Sequence, residues 1–275
     1  MTINCKGQLL DLSVPKVMGV VNLTPDSFYD GGKFKNEKEI LNQVEKNIQN
    51  GMDILDIGAY SSRPGADDIS EEEELTRQQS VLKSIVNTFP EAIISIDTFR
   101  SKVAEESIYC GAHIINDISA GKLDENMMDT VARLQVPYIM MHMKGTPQNM
   151  KSLAQYDDLL KEVVYYFSER ISAARAKGIN DLIIDPGFGF AKTIAHNFEL
   201  LHHLKFLKQL DLPILTGVSR KSMIYKTLKI DADQALNGTT ALNMACLMHG
   251  SSILRVHDVL EAKQCISLFQ KLTDK

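Results

Sequence analysis

The chain has 275 residues, 44% hydrophobic and 24% charged, proportions that suit a globule with a sizeable core and exclude a disordered or fibrous chain. Its 35 acidic and 30 basic residues leave a formal net charge of -5, which argues against general affinity for nucleic acid or anionic lipid; a bound anion would need a local basic pocket. No stretch approaches the ~20 apolar residues of a membrane span, no apolar signal segment opens the chain, and Cys5, Cys110, Cys246 and Cys265 stand too far apart for a zinc site, so a cytoplasmic protein with reduced thiols is expected.

After a short polar lead, eight apolar runs of strand length follow in order: KVMGVV, DILDI, IISID, IIN, YIMM, LIID, ILT and SILRV, beginning near residues 17, 53, 93, 114, 138, 182, 214 and 252. Amphipathic segments near 37–50, 71–88, 156–177, 196–209, 237–249 and 258–272, with weaker ones at 101–110 and 126–134, predict helices. Asn36 before Glu37 and Glu39 reads as a helix start, and Ser70 with Glu73 reads as a capping box, so the run Glu71–Glu74 is helix N-terminal charge and not a metal site. Strands alternating with helices require a parallel sheet. Eight such units without an internal linker predict one domain over 1–275, a closed (β/α)8 TIM barrel with a short N-terminal lead, ahead of an open doubly wound sheet.

The runs end in polar side chains: Asn22, Asp56, Asp97, Asn116, His142, Asp185, Ser219 to Lys221, and Arg255 with His257. In a parallel barrel these ends share one face, so the residues are expected to form one pocket offering cations on one side and acceptors on the other. Such a pocket suits a substrate with an anionic end and a donor-rich end. Ser61-Ser62-Arg63-Pro64-Gly65 and Ser219-Arg220-Lys221-Ser222 combine hydroxyls, backbone N–H groups and fixed cations, a natural setting for phosphate or diphosphate. No GxxxxGK[ST] pattern occurs, Gly187-Phe188-Gly189 does not continue as GxGxxG, and no Ser or Cys stands at recognisable spacing from a His and an acid.

Several segments resemble the dihydropteroate synthase family: MGVVNLTPDSFYDGGKF from Met18, SSRPGA from Ser61, SIDTFR from Ser95, INDISAG from Ile115, MHMKGTPQNM from Met141, DPGFGFAKT from Asp185, GVSRKSMI from Gly217 and LRVHDV from Leu254. The resemblance implies a homodimeric, magnesium-using barrel that condenses 6-hydroxymethyl-7,8-dihydropterin diphosphate with para-aminobenzoate and releases diphosphate. Asp185 then suits the pterin's paired N–H donors, with Asn116 and Lys221 at adjacent ring positions and Asp97 adding negative charge near a methylene cation. Asn22 is the expected protein ligand of magnesium, and Ser62, Arg63, Arg255 and His257 are expected to hold the diphosphate. Pro64, Phe190, Lys221 and Ser222 are candidates for the aminobenzoate slot, with Phe28 and Arg63 on loops able to close over it. Asp97, Lys221, Asp185 and Arg63 are the expected catalytic residues.

One segment departs from the pattern: the family commonly reads GGESTRPG where this chain has Gly58-Ala59-Tyr60-Ser61-Ser62-Arg63-Pro64-Gly65, so Tyr60 replaces an acid and Ser62 a threonine. A pterin-binding methyltransferase would keep the pterin-reading residues but has no use for the diphosphate cations. A catalytically silent pterin-binding homologue would have lost the Asp26–Gly32 loop or those cations, and both are present.

Overall fold

The computed structural model describes residues 1–23, 33–61 and 68–273. The expected polar lead is a hairpin, β1 (Thr2–Cys5) antiparallel to β2 (Gln8–Asp11). Lys6 and Gly7 turn it with φ of 51° and 92°, the mirror-image two-residue turn whose twist matches that of the flanking strands. Four-residue strands carry too little alternation to stand out in sequence, which is why the hairpin is not evident there.

The eight apolar runs all form strands: β3 (Lys16–Asn22), β4 (Ile54–Gly58), β5 (Ile93–Asp97), β6 (Ile114–Asp117), β7 (Tyr138–Met141), β8 (Leu182–Asp185), β9 (Leu215–Thr216) and β10 (Ile253–Val256). They pair in parallel in the order β8-β7-β6-β5-β4-β3-β10-β9, and a parallel bridge between Ile184 and Ile214 closes the ends into a barrel. The (β/α)8 TIM barrel expected from the sequence is the observed fold. Its helices are α1 (Lys33–Gln49), α2 (Glu71–Thr88), α3 (Ser101–Tyr109), α4 (Met127–Leu134), α5 (Leu159–Ala176), α6 (Ile194–His202), α7 (Ser222–Leu228), α8 (Leu236–Met248) and α9 (Val259–Thr273).

Three helical expectations need correction. Asn36 lies within α1, which begins at Lys33, so the helix starts earlier than the Asn36 signal implies. Only half of the capping box forms: Ser70 Oγ accepts from the Glu73 N–H at 3.1 Å, but Glu73 turns its carboxylate to Arg77 one turn on. The segment expected at 196–209 is α6 followed, after a break at His203, by a 3-10 stretch, Leu204–Leu210.

Two apolar layers hold the barrel. Val17, Leu55, Ile57, Ile94, Ile96, Ile115, Tyr138, Ile184 and Leu254 face outward against the helices. The alternate positions, Met18, Ile54, Ile114, Ile139, Ile183, Leu215 and Ile253, fill the barrel's lower interior, where Ile3, Cys5, Leu10 and Leu12 of the hairpin region close it. Each such buried Ile or Leu contributes on the order of 1.5–3 kcal/mol. Filling the lower half leaves the upper, C-terminal end of the strands for chemistry.

Candidate active site

Strand alternation selects which strand-end residues meet. Asp56 lies two positions after inward-facing Ile54, Asn116 two after Ile114, Asp185 two after Ile183 and Arg255 two after Ile253. Asp97 lies two after Ser95, which pairs with Asp56 in register. All five therefore point into the barrel mouth, while Asn22, four residues after Met18, ends β3 at the same rim.

Arg255 stands at the centre. Its Nε donates to Asp56 Oδ2 and its Nη2 to Asp97 Oδ2, both at 2.7 Å. Asn116 Nδ2 approaches the two Asp56 oxygens at 3.4 and 3.3 Å. Burial pushes the Asp97 carboxyl up to about 7; Arg255 opposes the shift and the like charge of Asp56 adds to it. Asp56 is fully buried and so acts as a fixed counter-ion for the guanidinium.

A second cluster forms across the mouth around Asp185, which is 6% exposed. Its Oδ1 accepts from the Gly187 N–H at 2.8 Å. Burial raises its pKa, with Lys221 and that N–H pulling the other way. Lys221 is the N-cap residue of α7; its ammonium donates to the Phe188 carbonyl and stands 5.0 Å from the centre of the Phe190 ring. Burial draws its pKa down to about 8 despite the attraction of Asp185. Gly187 is required here: its φ is +70°, and a Cβ would stand 2.2 Å from the His142 carbonyl oxygen.

Ser222 opens α7 beside Lys221. Ser219 Oγ lies 3.0 Å from His257 Nδ1 and accepts from the His257 N–H at 3.2 Å, which joins the ends of the last two barrel strands. Phe188 is wholly buried in the core, whereas Phe190 is only partly covered and faces Lys221. Phe28, Ser62, Arg63 and Pro64 lie outside the described residues.

Two strand-end residues are not where the sequence suggests. Arg220 is turned from the pocket into a two-pronged pair with Asp258, at 2.9 and 2.8 Å, and also donates to the Ala232 and Asp233 carbonyls. Its backbone is left-handed, with a φ of 52°. His142 sits behind the pocket, buried, with Nδ1 2.9 Å from the Lys192 ammonium. Glu74 lies in the acidic first turn of α2 as expected, and it is also buried, bound to Thr98 Oγ1 at 2.7 Å and to Arg100 at 2.6 Å.

The departure at position 60 has a structural account. Tyr60 OH donates to Asp68 Oδ1 at 3.2 Å and accepts from Gln148 Nε2 at 2.7 Å, its ring meets Phe99 edge-on at 5.0 Å, and the Arg100 guanidinium lies 5.3 Å from its centre. Tyrosine thus braces the segment after β4 against the segment after β7. The sequence places Asp56 among the strand-end residues of the pocket but gives it no particular role, and it gives none to Lys192. Inward parity with Ile54 agrees with the placement of Asp56. Nothing periodic marks Lys192, whose neighbours are assembled by the turn after β8.

Fold and site together define a (β/α)8 barrel that gathers a carboxylate–guanidinium cluster and a buried aspartate near a lysine at the C-terminal ends of its strands, the face on which barrel enzymes carry their active sites. The model of the pterin binding enzyme family matches residues 18–257. The dihydropteroate synthase of Escherichia coli is 40% identical over 272 residues, covering 98% of this chain and 96% of its own, and that of Haemophilus influenzae is 39% identical over 98% of both. The Yersinia pestis dihydropteroate synthase in a sulfonamide drug complex superposes with a TM-score of 0.94 at 39% identity over the whole of both chains. The Xanthomonas albilineans dihydropteroate synthase with 4-aminobenzoic acid gives 0.92 at 38% identity, over 100% of this chain and 98% of its own. The chain belongs to the dihydropteroate synthase family of pterin-binding enzymes.

Proposed function

We propose that the protein condenses 6-hydroxymethyl-7,8-dihydropterin diphosphate with para-aminobenzoate to give 7,8-dihydropteroate and diphosphate. The observation that carries the reading is Asp185, a buried carboxylate in the barrel mouth on which the charge of Lys221 acts, with Asn116 at the end of β6 facing the same mouth. A carboxylate accepts from the pterin 2-amino group and ring N–H together, so Asp185 reads the donor-rich end; Asn116 and Lys221 take adjacent ring positions.

The bond between the methylene carbon and the diphosphate oxygen breaks first, and the oxygen keeps the electron pair. The resulting methylene cation is delocalised over the bicycle, and Asp97 with Asp185 stabilises it. The aminobenzoate nitrogen then attacks with its lone pair and afterwards loses a proton. Catalysis is chiefly ionisation and positioning. Arg255 and His257, with Ser62 and Arg63, hold the diphosphate. A guanidinium carries five N–H donors, so Arg255 has capacity for phosphate oxygens beyond its bonds to Asp56 and Asp97. Phe190, Lys221, Ser222 and Pro64 form the slot for the aminobenzoate ring and carboxylate, with Phe28 and Arg63 as further contacts.

Magnesium belongs to the same reading. Among the described residues no group of three or more His, Cys, Asp or Glu could hold a metal ion, and Asn22 offers a single amide oxygen at the rim. That donor set fits a cation that arrives with the diphosphate and takes most of its ligands from phosphate oxygens and water. Bound there, it would neutralise charge developing on the leaving group. Among the described residues no helix is long and apolar enough to cross a membrane. With four free cysteines this supports a cytoplasmic site of action. Exposed Leu228, Met248, Leu260, Leu268 and Leu272 on α7, α8 and α9 support a homodimer.

Incubation of the purified protein with the pterin diphosphate, labelled para-aminobenzoate and magnesium should yield labelled dihydropteroate. Folded protein that makes none refutes the reading. Addition of a chelator should abolish turnover and excess magnesium restore it; full turnover in metal-free buffer removes the metal from the scheme.

A further inference from the structure

Lys192 is 9% exposed, and its described hydrogen bonds go to no carboxylate. It is surrounded instead by neutral acceptors: His142 Nδ1 at 2.9 Å, the Gly187 carbonyl at 3.0 Å and the Phe190 carbonyl at 3.1 Å, with the His142 carbonyl at 3.5 Å. An ammonium has three N–H donors, and the three shortest contacts use them all. Burial draws the Lys192 pKa down to about 7, with the charge of Asp185 opposing the shift, so holding its donors in a cradle of carbonyls costs free energy and calls for a role.

The segment it holds carries much of the proposed site. Within Gly187–Ala191, the Gly187 N–H donates to Asp185, the Phe188 carbonyl accepts from Lys221, the Gly189 N–H donates to Asn197 Oδ1 at 2.7 Å, and Tyr156 OH donates to the Ala191 carbonyl at 2.9 Å. Lys192 ties the carbonyls of Gly187 and Phe190 to His142 beyond β7, and the Gly187 carbonyl also accepts from the Phe190 N–H at 3.1 Å. The turn is thereby gripped by two lysines, Lys221 at Phe188 and Lys192 at Gly187 and Phe190, and the Phe190 ring is set against the Lys221 ammonium.

We infer that Lys192 is a positioning residue for the reaction, fixing the turn so that Phe190 and Lys221 keep the spacing of the aminobenzoate slot. The inference rests on the reading above that these two residues form that slot. Lys192 touches neither substrate. It acts through backbone carbonyls, and it fixes His142 as the neutral tautomer with its proton on Nε2, since Nδ1 must accept. Burial and the nearby lysines hold the His142 pKa well below its ordinary value, in keeping with that neutral ring.

The test compares steady-state kinetics for both substrates in the wild type and in Lys192→Met, which keeps the stem and removes the donors. The KM for para-aminobenzoate should rise about 10-fold or more, while kcat and the KM for the pterin diphosphate each change less than about 3-fold. An unchanged aminobenzoate KM, whatever happens to the melting temperature, overturns the inference. Wild-type turnover in the same assay reports on the reaction itself, so failure of the reaction and failure of this inference are distinguishable. Should Lys192→Met not fold, nitrogen-15 NMR of histidine-labelled wild type decides: His142 should be neutral with Nδ1 unprotonated at neutral pH, and a proton on Nδ1 overturns the cradle.

Discussion

Asp185 and Asp97 do different work although both are aspartates ending inward-facing strands. Asp185 is held by a backbone N–H and faces a lysine; Asp97 shares a guanidinium with a second, fully buried carboxylate. Asp185→Asn keeps the shape but sets an amide N–H₂ against a ligand N–H. At about 1.5–3 kcal/mol for a hydrogen bond to a charged group, pterin diphosphate affinity should fall roughly 10- to 100-fold in a calorimetric titration, with aminobenzoate contacts spared. If Asp185 served only the turn at Gly187, asparagine would substitute and the affinities would be equal. The pH dependence follows from Asp97 and Lys221. A carboxylate loses its charge as pH falls, so the stabilisation of the cation by Asp97 fades below about 7; an ammonium loses its charge as pH rises, so the donors of Lys221 fade above about 8. The profile of kcat/KM, which reports the free enzyme, should therefore be a narrow bell between those values. A flat acid side would show that the charge on Asp97 is not used.

At the scale of the element, short signals proved both useful and incomplete. Ser70 caps α2 as its spacing implies, whereas the reciprocal half is lost because Arg77, one turn along, offers Glu73 a stronger partner. Ser70→Ala should lower stability by about 1 kcal/mol, seen as a lower melting temperature with unchanged kinetics. A drop in activity at equal stability would instead tie the α2 start to the site. The brace beside it makes this informative: Glu74, in the first turn of α2, holds Arg100, which lies over Tyr60 and donates to the Ile69 carbonyl at 2.6 Å. The β1–β2 hairpin was hidden by brevity, while the long strands and helices were legible from their period.

On the scale of the whole molecule, closure of the barrel gathers residues more than 150 positions apart, such as Arg255 and Asp97, into direct contact. It also leaves α7, α8 and α9 side by side with apolar side chains outward: Met248 is 59% exposed, Leu268 63% and Leu272 70%. Monomers seldom leave such a surface uncovered. If the proposed homodimer uses this face, Met248→Glu combined with Leu268→Glu should shift the sedimenting species from dimer to monomer with little loss of secondary structure. A monomeric wild type, or a dimer indifferent to the pair, would place any interface elsewhere.

What the sequence determined by itself was the alternation of eight strands with helices, hence the barrel, and the polar residue at each strand's end, hence the pocket. Both are local patterns, written in residues near one another in the chain and so readable there. The motifs quoted from Met18 to Val259 carried the family as well. Tertiary structure decided the rest. Arg220 and Lys221 are neighbours in sequence, yet one is drawn outward to Asp258 and the other inward to the Phe188 carbonyl. Asp56 and Lys192 gain their roles only through partners brought by closure and by the turn after β8. A side chain's partner depends on which distant backbone and charge the fold sets beside it, and no spacing along the chain encodes that.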